Sequence, residues 1–136
     1  MPKVFIDTDV ILDCFLVRER FYQASAALLS LGENKKINAY TSVIVVSNLY
    51  YMLQKQYNHH KAISILRKLS TFIEILSINS EIIKTALISD SKDFEDTIQY
   101  FCAKENKLDY IITRNKKDFP NSEISVLSPI EFLTEH

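Results

Sequence analysis

The stretch KVFIDTDVILD, Lys3 to Asp13, decides how the rest of the chain is read. Lys3–Ile6 is a short apolar run of the kind that forms a buried strand. Asp7 stands where the chain leaves that strand. Apolar residues at positions 10, 11, 14 and 15 then predict a helix over Thr8–Val17. A carboxylate at such a junction is costly unless it is paired, hydrogen-bonded or bound to metal. Asp7 fits two roles. It can cap the helix by accepting backbone N–H groups. It can also hold a cation, because a carboxylate at a helix N-terminus stays ionised, as a metal ligand must be. Neither role excludes the other. Asp9 belongs to the first helical turn, where the dipole favours an anion. Asp13 either faces solvent or partners an arginine.

Working outward, the same alternation continues. Phe21–Leu31 reads as a helix with Gly32 as the residue just past its end. Ile37–Thr41 reads as a second strand. Ser42 is placed to cap a helix running to about Tyr57. His60–Ser70 is another amphipathic helix, Phe72–Ile78 a third strand and Ser80–Ser89 a short helix. Asp93–Asn106 is a longer helix. Tyr110–Thr113 and Ile124–Leu127 are the last strands, and Pro129–Leu133 opens a final helical turn. Strands alternating with helices indicate a sheet of parallel strands covered on both faces. The expectation is a single three-layer α/β/α domain over residues 1–136, with a mostly parallel sheet of about five strands. In such folds the site lies beyond the carboxyl ends of the strands, at a topological switch point. Asp7, Ser42, and the group Arg114, Asn115 and Asp118 all follow strands and share that edge.

The bulk numbers fit this picture. The chain has 136 residues, 47% hydrophobic and 24% charged, with one Gly and three Pro. That balance suits one globular domain without long linkers. A single Gly excludes P-loop and dinucleotide-binding loops. The two cysteines, Cys14 and Cys102, make neither a zinc set nor a disulfide framework. They point to a reducing compartment, hence the cytoplasm. No apolar run approaches the roughly 20 residues that span a bilayer. The net charge of −1 gives no global attraction to nucleic acid, so any phosphate contact must be local. His59 and His60 are adjacent and diverge on a helix, which disfavours a shared metal. The seven tyrosines read mainly as core and rim residues.

Two further stretches carry chemistry. In SKDFEDTIQYFCAKE, Ser91–Glu105, Asp93 and Asp96 share one side of a first helical turn, while Glu95 points toward water. As structure alone, Asp93 is a cap and Asp96 imitates a capping box. As chemistry, two carboxylates at one helix start, near Asp7 at another, make an oxygen site for a hard divalent cation such as Mg²⁺. In DYIITRNKKDF, Asp109–Phe119, a strand ends at Thr113. The loop that follows carries Arg114, Asn115, Lys116, Lys117 and Asp118. Read plainly, it is a solvated polar turn. Read functionally, it sets cations beside carboxylates, a mixture that suits a phosphodiester.

Together VFIDTDVILD and DFEDTIQYFCAKENKLDYIITRNKKDF resemble the PIN domain, the fold of metal-dependent ribonucleases that includes toxins of toxin–antitoxin pairs. The likeness spans nearly the whole chain, and the second motif is the more specific. It implies a Mg²⁺ or Mn²⁺ site with Asp7 and Asp96 as the main ligands. It implies hydrolysis of single-stranded RNA, an antitoxin protein as partner and a homodimer. The family usually has a glutamate on the helix after strand two and an acid just after Thr-Arg. Here those places hold Asn48 and Asn115, which lowers the charge available to an ion. Asp93 and Asp118 are the candidate substitutes. Thr8, Ser42 and Thr113 would orient ligands or a water. Arg114, Lys116 and Lys117 would contact RNA phosphates. Two alternatives stand beside this reading. One is a decayed PIN-like domain that binds RNA or a protein without cutting. The other, lesser, is a haloacid-dehalogenase-like phosphatase led by Asp7 and Asp9.

Overall fold

The computed structural model describes residues 1–89, 91–119 and 123–136, apart from the side chain of Asp118. The first strand, β1 (Lys3–Ile6), buries Val4, Phe5 and Ile6 completely, so it can only be central. It pairs in parallel with β2 (Asn38–Ser42) on one side and with β4 (Tyr110–Ile112) on the other. The outer strands β3 (Ile73–Leu76) and β5 (Ser125–Leu127) also pair in parallel, giving the order β3-β2-β1-β4-β5.

The chain runs outward from β1 to β3, then returns to the far side of β1 to form β4 and β5. The outward run carries helices α1 (Thr8–Phe15), α2 (Tyr22–Glu33), α3 (Val43–Gln56) and α4 (His59–Ser70). The return carries α5 (Ser80–Ile88) and α6 (Phe94–Glu105). Parallel crossovers are right-handed, so opposite directions of travel put the two helix sets on opposite faces. The reversal of direction makes a switch point between β1 and β4, where the loops after those strands diverge. The chain ends in α7 (Pro129–Glu135), which seals the core with the fully buried Phe132.

Helix starts follow the sequence closely. Asp7, Ser42, Asn58, Asn79, Asp93 and Ser128 each accept a backbone N–H at the head of a helix. At α7 the cap is a full capping box with Glu131. One helix end differs from expectation. Gly32 lies inside α2 rather than beyond it, and the left-handed residue after the helix is Lys35, with φ 60°. The reason is packing. A Cβ on Gly32 would meet the Ala39 Cβ at 3.2 Å and the Phe72 ring at 3.3 Å. Glycine lets α2 come close to β2. Among the described residues, no helix is long and apolar enough to cross a membrane.

Candidate metal centre

Asp7 is held from both sides. Its Oδ1 accepts the Thr8 backbone N–H at 2.8 Å, and its Oδ2 accepts the Thr113 hydroxyl at 2.8 Å. The two donors come from the start of α1, just after β1, and from the loop after β4, the pair of strands at the switch point. Only 8% of Asp7 is exposed. Burial pushes its carboxyl up to about 6, against the pull of the two hydrogen bonds and with further repulsion from Asp9 and Glu95. Fixed orientation with destabilised charge is what a cation at this carboxylate would relieve.

Asp7 opens into a cleft of about 620 Å³. Thr8, Asn48, Asp93, Asp96 and Asn115 line it too, so six of the residues singled out in the sequence share one space. The Asp93 carboxylate accepts the Asp96 backbone N–H at 2.9 Å, so its capping role is real and it still borders the cleft. The Thr8 hydroxyl is buried at the cleft without a hydrogen-bond partner among the described residues. Thr113 holds Asp7 from behind through that hydroxyl contact. Ser42 is fully buried and does not line the cleft. Its hydroxyl accepts from Val45 N–H and donates to Gln99 Oε1 at 2.7 Å, which ties α3 to α6. The side chain of Asp118 lies outside the described residues.

Several residues of the cleft escaped the sequence reading. Glu95, expected to face water, is exposed, and it also lines the cleft, where it accepts a hydrogen bond from the Asn48 amide at 2.5 Å. A helical wheel of α6 alone cannot reveal this, because the partner, Asn48, comes from α3, far away in sequence. Arg18, Ser47 and Tyr51 border the cleft as well, beside Asp9 of the first turn of α1. Tyr51 is 59% exposed.

The loop cations sit outside the cleft. Arg114 Nε lies 2.9 Å from Asp13 Oδ2, an ion pair whose N–H is not aligned as a hydrogen bond. The Arg114 guanidinium also lies 4.1 Å over the Phe21 ring. Asp13 is fully buried and takes a second arginine, Arg18, at 3.2 Å. Lys116 is held by both carboxylate oxygens of Glu131, at 2.8 and 2.9 Å. Lys117 is exposed. Arg114 nevertheless lines an adjoining pocket of about 350 Å³ with Arg20, Phe21 and Asn115, and Asn115 borders both spaces.

Five carboxylates and one guanidinium line the cleft, a balance that draws cations. Among the described residues, no three carboxylate, imidazole or thiol side chains converge into a ready-made metal cage. Carboxylate and amide oxygens are the donors that hard divalent cations take, and such ions keep several waters beside one or two carboxylates.

Known proteins resemble the chain along nearly all of its length. Ribonuclease VapC1 of Aquifex aeolicus (strain VF5) is 30% identical over 135 residues, which are 96% of this chain and 92% of that protein. Among solved structures, a toxin–antitoxin complex from Klebsiella pneumoniae matches with a TM-score of 0.69 at 21% identity, covering 93% of this chain and 97% of its own. VapBC-1 from nontypeable Haemophilus influenzae matches with a TM-score of 0.67 at 17% identity, covering 94% and 98%. At those identities the solved structures speak for the fold. The sequence profile of the PIN domain matches residues 3–117, and with it the chain belongs to the PIN domain family.

Proposed function

We propose that this chain is an endoribonuclease dependent on Mg²⁺ or Mn²⁺, that it hydrolyses single-stranded RNA, and that it is the toxin of a toxin–antitoxin pair. The observation that carries the reading is the meeting of Asp7 and Asp96 in one acidic cleft at the switch point. The relative named as a ribonuclease supports the reaction, and the toxin–antitoxin complexes of the same fold support an antitoxin partner. A homodimer follows the same family pattern.

Each residue has a task. Asp7 and Asp96 are the main ligands, with Asp93, Asn48 and Asn115 as auxiliary oxygen donors. Asp118 belongs to the same proposed set. A divalent ion, when bound, polarises phosphoryl oxygens and lowers the pKa of water. Thr8 and Thr113 fix the Asp7 carboxylate so that it need not reorganise during reaction. Arg18 is the guanidinium of the cleft and suits a phosphate oxygen. Arg114, Lys116 and Lys117 make the basic flank along which the strand would run. Tyr51 offers a surface for a splayed base. An RNA substrate and two free thiols support a cytoplasmic setting.

The decayed-site alternative rests on Asn48 and Asn115, but the cleft keeps Asp7, Glu95 and Asp96. The phosphatase alternative is set aside by the family match. Asp96→Asn is expected to abolish metal-dependent cleavage of single-stranded RNA by the purified protein. Cleavage at the wild-type rate by that variant refutes the assignment.

A further inference from the structure

We propose that Asp13 is a positioning residue: its buried carboxylate fixes Arg18 in the metal cleft and Arg114 in the adjoining pocket, so that the two guanidiniums grip neighbouring phosphates of one RNA strand. The inference rests on the ribonuclease reading above and deepens it. Asp13 belongs to α1 and is fully buried. Its Oδ1 takes Arg18 Nη1 at 3.2 Å, and its Oδ2 faces Arg114 Nε at 2.9 Å. A carboxylate that only tied the loop after β4 to α1 would need one arginine. Asp13 takes two, and each lines a different cavity.

Both arginines are constrained beyond the ion pair. Val17, just before Arg18, has φ 51°, a left-handed conformation that a β-branched residue seldom adopts. That turn brings the Arg18 backbone N–H to the Asp13 carbonyl at 3.0 Å. Strain of this kind persists where the surroundings over-determine it. Arg114 is braced by the Phe21 ring, 4.1 Å from its guanidinium carbon. An arginine carries five N–H donors in a planar fork, so one edge can face a carboxylate while another meets a phosphate. Among the described residues, no hydrogen bond engages the two Nη atoms of Arg114, whose Nε faces Asp13.

The two cavities divide the substrate by charge. Five carboxylates suit the cleft to a cation. The pocket of about 350 Å³ beside it is lined by Arg20 and Arg114 and, among the described residues, by no carboxylate, which suits it to an anion. Asn115 borders both, so a strand leaving the cleft meets this pocket next.

Initial rates of cleavage of a single-stranded RNA of mixed sequence, with Mn²⁺ and across a salt series, test this on the whole chain. Arg18→Gln and Arg114→Gln should each raise KM several-fold. Each should also flatten the slope of log(kcat/KM) against log salt by about 0.7, the value of one phosphate contact on a single strand. Asp13→Asn removes a negative charge, which by itself favours RNA. It should nevertheless raise KM and flatten the slope, because both arginines lose their anchor. Arg114→Lys keeps a charge for Asp13, but a single ammonium lacks the fork that serves Asp13 and a phosphate together. Its KM should match that of Arg114→Gln. If the wild type cleaves RNA while both glutamine variants keep its KM and salt slope, only this inference falls. A folded Asp13→Asn with the wild-type KM or a lower one overturns the positioning role. If that variant melts below the assay temperature, a wild-type KM in Arg114→Lys overturns it instead. A wild type that cleaves no RNA removes the ribonuclease reading, and this inference with it.

Discussion

Asp7 shows what a functional carboxylate costs its own fold. Its carboxyl titrates near 3.8 when unfolded and near 6 in the folded chain, chiefly through burial. Between those values the native state binds more protons than the unfolded state. Without metal, stability therefore falls as pH rises through that window, by up to about 3 kcal/mol at 1.36 kcal/mol per pKa unit. Asp7→Asn removes the charge and should stabilise the metal-free protein at pH 7.5 by roughly 1–3 kcal/mol, with a flatter stability profile between pH 4 and 6. Urea unfolding across that range checks it, and a variant less stable than wild type at pH 7.5 contradicts it. At this scale the sequence was partly legible. Asp7 and Asp96 were readable because strand ends and helix starts are local. Glu95 was not, since its place depends on Asn48 of another helix. Nor was the double engagement of Arg114, because nothing in TRNKK announces the buried Asp13 of α1 or the Phe21 ring beneath the guanidinium.

At the scale of elements, the capping residues carried most of the information. Asp7, Ser42 and Asp93 marked the starts of α1, α3 and α6, and the strands fell within a residue or two of expectation. Gly32 was misread, because glycine near a helix end has two uses: to leave the helix, or to let it approach a neighbour. The choice is made by Ala39 and Phe72, which the local sequence does not show. Gly32→Ala tests the second use. Alanine gains about 1 kcal/mol of helix propensity, but its Cβ meets a strand side chain that cannot rotate away. The net expectation is a loss of about 1 kcal/mol or more in denaturant unfolding. A more stable variant would show that α2 and β2 separate freely.

At the scale of the whole molecule, function comes from topology. The alternation of strands and helices announced a parallel sheet, but not the order β3-β2-β1-β4-β5. That order puts β4 beside β1, brings Thr113 to Asp7 and opens the cleft in which Asp96 lies. Diffraction from crystals soaked in Mn²⁺, collected at the manganese absorption edge, tests the claim most directly. One anomalous peak in the cleft, in coordinating contact with both Asp7 and Asp96, is the predicted result. A peak that touches neither carboxylate, or a cleft without one at saturating Mn²⁺, would contradict it.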